Sequence, residues 1–380
     1  MAVACGAVVA NLYYAQPLIG LIGPEIGLSP AASGLVVTLT QLGYATGLVL
    51  LVPLGDIVEN RRLVCWTLAG NVAALALIMV ASSASLFLLA CLLIGIGSVA
   101  VQMLVPIAAH MAPEQSRGRV VGNVMSGLLA GILLARPVAS ITADLLGWRA
   151  LFGLSAALMA VLLLVLMRLL PPRRPHQGLG YLKLLRSLGW LLLRNRVLQR
   201  RAFYQTMLFA AFSLFWTSVP LELAAPPYHL TQRGIALFAL AGAAGALVAP
   251  LAGRMADRGW SRIATGGFIL LVAAALVVGW FGSGGPIAVL VLVAILLDSG
   301  VQGQMVVSQR AIFAMDAEIR SRLNGLYIAL LFAGGAFGSA VASLCFARGG
   351  WSLVSAVGLV FPVVALLGYG TEFTRRPRSK

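Results

Sequence analysis

Charge is what this sequence has least of. Aspartate and glutamate together number 11 in 380 residues, and all charged residues make up 10% of the chain, against about 25% in an ordinary soluble domain. A water-facing surface cannot be built from so few charges, so most of the outer surface has to face lipid, and a large soluble domain is excluded. Histidine is nearly missing too. His110, His176 and His229 are scattered, and no two have the spacing of metal ligands, so no metal site is expected. No glycine-rich phosphate loop occurs, so ATP is not the expected energy source and no enzyme active site is expected. Cys5, Cys65, Cys91 and Cys345 all lie in apolar runs and read as small buried hydrophobes.

Apolar sequence is what the chain has most of, at 60%. A membrane-crossing helix needs roughly 20 apolar residues, and with short connections this length holds about twelve. Glycine, proline and charge clusters place them near 1–22, 33–54, 63–82, 86–110, 119–142 and 149–170, then 201–225, 233–253, 263–282, 286–312, 323–346 and 350–371. The expected fold class is therefore an all-α membrane protein with twelve transmembrane helices. The first run lacks a basic leader and carries Asn11, Tyr13, Tyr14 and Gln16, which makes it helix 1 rather than a signal peptide. The lack of any basic residue ahead of it points to a start further upstream.

The net charge of +16 comes from 27 lysines and arginines. On this topology Arg149, Arg233 and Arg348 fall on one side and Arg136 inside a span. The other 23 share the opposite side, among them Arg61, Arg62, Arg117, Arg119, Arg254, Arg258, Arg320 and Arg322. That bias marks the basic side as cytoplasmic. It accounts for the charge without nucleic acid and places both termini in the cytoplasm. The stretch 171–200 begins with Pro171-Pro172-Arg173-Arg174-Pro175 and continues as a basic amphipathic segment, Tyr181 to Arg194, suited to lying on the inner membrane surface. It separates an N-terminal six-helix bundle, 1–170, from a C-terminal one, 201–371, with a basic cytoplasmic tail at 372–380.

The two halves repeat. Arg117-Gly118-Arg119 with Gly122 matches Arg320-Ser321-Arg322 with Gly325 at an offset of 203, and Trp148 matches Trp351 at the same offset. Gln102-Met103 matches Gln304-Met305, and Asp56 matches Asp257, at offsets of 202 and 201. Four correspondences in order indicate a duplicated six-helix unit.

Gly253-Arg254-Met255-Ala256-Asp257-Arg258-Gly259 resembles the inter-helix signature of the major facilitator superfamily. Pro53-Leu54-Gly55-Asp56-Ile57-Val58-Glu59-Asn60-Arg61-Arg62 resembles a degenerate first copy, with Val52, Ile57 and Glu59 where the signature has glycine, arginine and glycine. Asn11-Leu12-Tyr13-Tyr14-Ala15-Gln16-Pro17, Gly131-Ile132-Leu133-Leu134-Ala135-Arg136 and Gly147-Trp148-Arg149 are similar to the branch of bacterial drug, arabinose, sugar and purine-ribonucleoside efflux permeases. Gly118, Gly122, Gly127 and Gly131, leading to Pro137, resemble the antiporter motif of efflux members, although Arg136 replaces the glycine before the proline and the helix 4 arginine of many proton antiporters is missing. The resemblance implies the major facilitator fold, with two pseudo-symmetric six-helix halves, in a bacterial inner membrane. It also implies that Asp56, Arg61, Arg62, Arg117, Arg119, Gly253, Asp257, Arg258, Arg320 and Arg322 belong to gating loops.

A charge at the bilayer centre costs roughly 2.5–3.5 kcal/mol on insertion scales and marks function by default. Only Asp298 among the carboxylates lies well inside a span. Gln302, Met305 and Gln309 follow at i+4, i+7 and i+11 on the same face, and a polar stripe on a membrane helix suits a water-filled path. Asp298 is thus the expected proton carrier, with a structural hydrogen bond as the plainer alternative. Arg136 lies towards the outer third of helix 5, where it serves an anionic substrate, pairs with Glu222 or Glu25, or extends outward to the interface. Asn11, Tyr14, Gln102, Phe215, Trp216 and Gln302 complete the expected substrate contacts, each weighed against ordinary packing.

The expected function is secondary active transport by alternating access, with proton-coupled export of a drug, sugar or nucleoside-like molecule. An uptake carrier or uniporter on the same fold remains open, as does a transport-inactive sensor or scaffold. The partners are a small-molecule substrate and membrane lipid, without nucleic acid. A monomer is expected, and a proton is the only coupling ion suspected in place of a cofactor.

Overall fold

The computed structural model describes residues 1–173 and 180–374. Residues 174–179 of the expected linker and 375–380 of the expected basic tail lie outside the described residues. Among the described residues every regular element is helical. The helices are α1 (Ala2–Ala10), α2 (Ile19–Glu25), α3 (Leu35–Leu50), α4 (Asn60–Val80), α5 (Ala84–Ser98), α6 (Ala100–Met111), α7 (Arg117–Leu146) and α8 (Trp148–Leu169). Then come α9 (Tyr181–Arg194), α10 (Arg196–Ala224), α11 (Gln232–Ala243), α12 (Ala249–Asp257), α13 (Ser261–Phe281), α14 (Ile287–Phe313) and α15 (Ala317–Thr374). Among the described residues nine helical stretches are long and apolar enough to cross a membrane, the last of them 55 residues long.

Of the twelve expected spans, the first and the eighth are broken by longer non-helical or 3-10 stretches, and the fourth is split at Val99 into α5 and α6. The first breaks after Ala10: the chain turns through Asn11–Ala15, makes one 3-10 turn over Gln16–Leu18, and resumes as α2. Pro17 has no N–H to offer the helix and sits at the start of that turn. The eighth expected span breaks likewise into α11, a 3-10 stretch over Ala244–Val248, and α12, which opens on Pro250. The last two spans run together as α15, interrupted at Gly349 and at Gly350, whose φ of 58° a side chain rarely tolerates. In the first half Gly147, with φ of 85°, makes the corresponding turn between α7 and α8. Each of these two glycines precedes a buried tryptophan, Trp148 or Trp351.

The chain forms two compact units. Unit 1 is Met1–Leu191 with Leu230–Ala239, and unit 2 is Leu192–His229 with Leu240–Lys380. In unit 1 the backbones of α1 and α7 meet at glycines. A Cβ on Gly127 would lie 2.5 Å from the carbonyl oxygen of Ala2, and one on Gly131 would lie 2.5 Å from the Cα of Gly6. Gly118 and Gly122, from the same run, have nothing within 4 Å of such an atom, so only half of that run serves close packing. In unit 2, α10 and α15 meet in the same manner, with Gly334 against Thr206 and Gly338 against Ala210. Gly334 stands 203 residues after Gly131, the offset of the sequence repeat.

The apolar side of α9 buries Leu184, Leu188 and Leu191, while Lys183, Arg186 and Arg194 are exposed. The Tyr181 hydroxyl donates to the carbonyl of Leu50 at 2.9 Å, which fixes α9 to the end of α3.

Candidate functional site

Three charged side chains are buried among the described residues: Arg136, Glu222 and Asp298. Arg136 and Asp298 each stand beside a break in a helix.

Arg136 lies in unit 1, on α7. Its Nε donates to Oε1 of Gln16 at 2.9 Å, and its guanidinium carbon lies 5.1 Å from the centre of the Tyr13 ring. Both partners come from the interrupted stretch after α1, where the chain is free of helical spacing and can offer an amide oxygen and a ring face to one cation. Arg136 is only 6% exposed. Glu25 pairs instead with Arg149, whose guanidinium lies 4.1 Å from the Trp148 ring centre. Asp144 pairs with Arg233 at 2.6 Å, also within unit 1.

Asn11 sits at the centre of a buried polar network that sequence reading missed. Its Nδ2 donates to Oδ1 of Asn71 at 3.4 Å, and its Oδ1 accepts from the Ser155 hydroxyl. Asn71 in turn donates to the Ile94 carbonyl and to the Ser98 hydroxyl, both at 3.2 Å. Asn11, just after α1, is thereby tied to α4, α5 and α8 by side chains that would be costly to bury alone. An asparagine inside the otherwise apolar run of α4 was the available signal. Gln102, half-buried, donates to the Tyr44 hydroxyl at 3.1 Å, and Tyr14 is buried.

Asp298 is in unit 2, the twelfth residue of α14, and 6% exposed. The indole Nε1 of Trp216, on α10, donates to its Oδ1 at 2.8 Å. The break between α11 and α12 closes over the pair. A Cβ on Gly245 would come within 2.5 Å of the Asp298 Cβ, and one on Gly242 would stand 3.0 Å from Oδ2 and closer still to the Trp216 ring. Backbone without side chains is what allows this stretch to approach the carboxylate. Phe215 packs edge-on against Trp216 and Trp351, at 5.5 and 5.6 Å between ring centres. Further along α14, Gln302, Met305 and Gln309 are half-buried, while Gln304 is fully buried and donates to the Ser308 hydroxyl at 3.1 Å. Gln205, which the sequence reading did not single out, is fully buried on α10 and donates to the Val301 carbonyl.

Asp257 accepts two bonds from the Arg310 guanidinium, at 3.0 and 3.1 Å, in a half-exposed fork. Arg258 lies 5.7 Å from the Trp260 ring centre, and Gly253 has open space around it. Asp56 is exposed at the end of a 3-10 turn, and Arg62 pairs with Glu59 at 3.5 Å, while Arg61 is half-exposed. Arg117 donates to the Ala109 carbonyl and Arg320 to that of Met315, which pins each loop to its own helix end. Arg119 is exposed and Arg322 half-exposed.

Residues 1–317 match the family model described as Major Facilitator Superfamily. The "Uncharacterized transporter YgaY" of Escherichia coli O157:H7 is 42% identical over 379 residues, covering 99% of this chain and 95% of that protein. The "Probable transporter SCO4007" of Streptomyces coelicolor is 36% identical, covering 93% and 82%. Among solved structures, a point mutant of the nucleoside transporter NupG superposes with a TM-score of 0.75 at 14% identity, covering 98% of each chain. A bacterial homologue of the human lysosomal transporter Spinster, inward-facing and unoccupied, gives the same score and identity over 100% and 97%. At that identity these two speak to the fold alone.

Proposed function

The chain belongs to the Major Facilitator Superfamily, and we propose that it is a secondary active transporter exporting a small organic molecule in exchange for protons. It works by alternating access in a bacterial inner membrane, with both termini in the cytoplasm. The observation that carries this reading is the buried Asp298 carboxylate, held by the Trp216 indole on the half-polar face of α14. A carboxylate buried at that depth is costly to retain unless it is used. Opening the surroundings of such a group to water on one side or the other changes the balance between its charged and neutral forms, which is what carrying a proton requires. Arg136, gripped by Gln16 and Tyr13, is the corresponding basic group in unit 1 and the proposed contact for an anionic or strongly polar part of the substrate. Gln102, Gln302, Tyr14 and Phe215 supply further polar and aromatic contacts.

A thermal-shift screen of the purified protein against sugars, nucleosides and drugs supplies a ligand, since binding to the folded state raises its stability by mass action. With that ligand, Asp298→Asn in proteoliposomes is expected to abolish accumulation driven by a pH gradient while binding survives. Gradient-driven accumulation by the variant at the parent rate would refute the assignment of Asp298. Flux indifferent to the pH gradient in the parent protein would refute proton coupling altogether.

A further inference from the structure

A cleft of about 530 Å³ opens on the surface of unit 1 where the start of α4 meets the end of α8. Its polar end is formed by Arg61 and Arg62 in the first turn of α4. Its inner walls are Trp66 and Ala69 from the next turns of α4, and Leu163 and Met167 from α8. α4 rises about 10 Å between Arg62 and Ala69, so the cleft changes from basic to wholly apolar along one helix axis. Trp66 is 79% exposed and Met167 43% exposed, an arrangement that in water would be an exposed apolar patch. In a membrane it places a tryptophan at headgroup depth and an apolar trough beneath it.

Charge selects the occupant. Glu59 lines the same end and stands 3.5 Å from Arg62, so that cation is partly answered within the protein. Arg61 lines this end as well, while Arg168 in the last turn of α8 and Arg173 just beyond are exposed but lie outside the cleft's lining. The chain after α8 is drawn back towards the cleft by the Asn60 N–H, which donates to the Arg173 carbonyl at 3.1 Å. Two arginines against one carboxylate favour an anion, and the apolar trough favours one that carries an acyl chain.

We propose that this cleft binds one phospholipid with an anionic headgroup, its phosphate on Arg61 and Arg62 and one acyl chain along Trp66, Ala69 and Leu163. The site is separate from Arg136 and Asp298 and does not depend on what the protein transports.

Native mass spectrometry of the purified full-length protein, offered equal amounts of phosphatidylglycerol and phosphatidylethanolamine, tests it directly. The parent is expected to retain one phosphatidylglycerol in preference. Arg61→Gln with Arg62→Gln is expected to lower that retention about tenfold, since each basic group near an anionic lipid is worth about fivefold and Glu59 already answers part of Arg62. Ala69→Trp, which fills the trough and leaves the arginines in place, is expected to lower it as well. Phosphatidylglycerol with brominated chains is expected to quench part of the tryptophan fluorescence in the parent and not in Trp66→Phe. Equal retention of the two lipids would overturn the proposal, as would unchanged retention in both variants. Displacement of the lipid by glycerol phosphate at matching concentration would assign the arginines to a free phosphate instead. A bound second copy of the chain in place of lipid would make the cleft a dimer contact.

Discussion

Replacing Gly131 by alanine puts a methyl group where no room exists. Its Cβ would lie 2.5 Å from the Cα and 2.6 Å from the carbonyl carbon of Gly6, and closer still to the carbonyl oxygen. Ordinary contact begins near 3.4 Å, so α1 and α7 would have to part by about 1 Å. All three obstructing atoms are backbone, so no rotamer change can relieve the clash. Overpacking costs roughly 1–3 kcal/mol, and a clash between two rigid helices belongs at the upper end. Alanine returns about 1 kcal/mol through its better helix propensity. The net loss is about 2 kcal/mol, equivalent to a fall in melting temperature of about 2.5 °C for a chain of this length. Gly118→Ala and Gly122→Ala, on the same helix, meet nothing within 4 Å and should leave stability unchanged or slightly raised. The assay is thermal unfolding of the detergent-solubilised protein, followed by tryptophan fluorescence with size-exclusion chromatography as a control for aggregation. A Gly131→Ala protein as stable as the parent would refute the reasoning, and so would an equal loss in the two controls.

Two further substitutions probe the polar groups. Arg136→Lys keeps the charge but loses the planar fork that meets Gln16 and lies near the Tyr13 ring. It is expected to weaken ligand binding about tenfold, and a titration giving equal dissociation constants would remove Arg136 from the substrate contacts. Asp257→Asn loses the charge of the two-bond pair with Arg310. It is expected to slow transport while leaving affinity within a few-fold, and unchanged flux in proteoliposomes would show that the loop motif has no gating role.

Much of the fold was legible because membrane helices announce themselves through composition and charge. The offset of 203 that relates Trp148 to Trp351 also relates the positive-φ glycines that precede them, Gly147 and Gly350, and the close-contact glycines Gly131 and Gly334. Duplication therefore preserved backbone geometry as well as side chains. Partnership was less legible. Asp298 and Trp216 were both readable as candidate residues, but the bond between them joins positions 82 residues apart, and no periodicity reports contacts at that separation. The glycines of α7 carried the same ambiguity: spacing alone cannot distinguish Gly127 and Gly131, which touch α1, from Gly118 and Gly122, which touch nothing nearby.

The breaks in the first and eighth spans were hidden for a reason that bears on function. Hydropathy counts apolar residues and is blind to whether their backbone is helical. Non-helical backbone inside a membrane survives only where protein or a water-filled cavity satisfies its polar groups. The two interrupted stretches, Asn11–Leu18 and Ala244–Val248, are therefore places where something other than lipid must be present. Each lies beside a buried charge: the first contributes Tyr13 and Gln16 to Arg136, and the second brings Gly245 against Asp298. A continuous helix would have carried its side chains outward at fixed spacing and kept its backbone away from both groups. Interrupting the helix frees the side chains of Tyr13 and Gln16 from helical spacing in unit 1, and in unit 2 lets the Gly245 backbone come close to Asp298. The same two breaks that defeat a hydropathy reading are thus the positions at which each unit brings close neighbours to its buried charge.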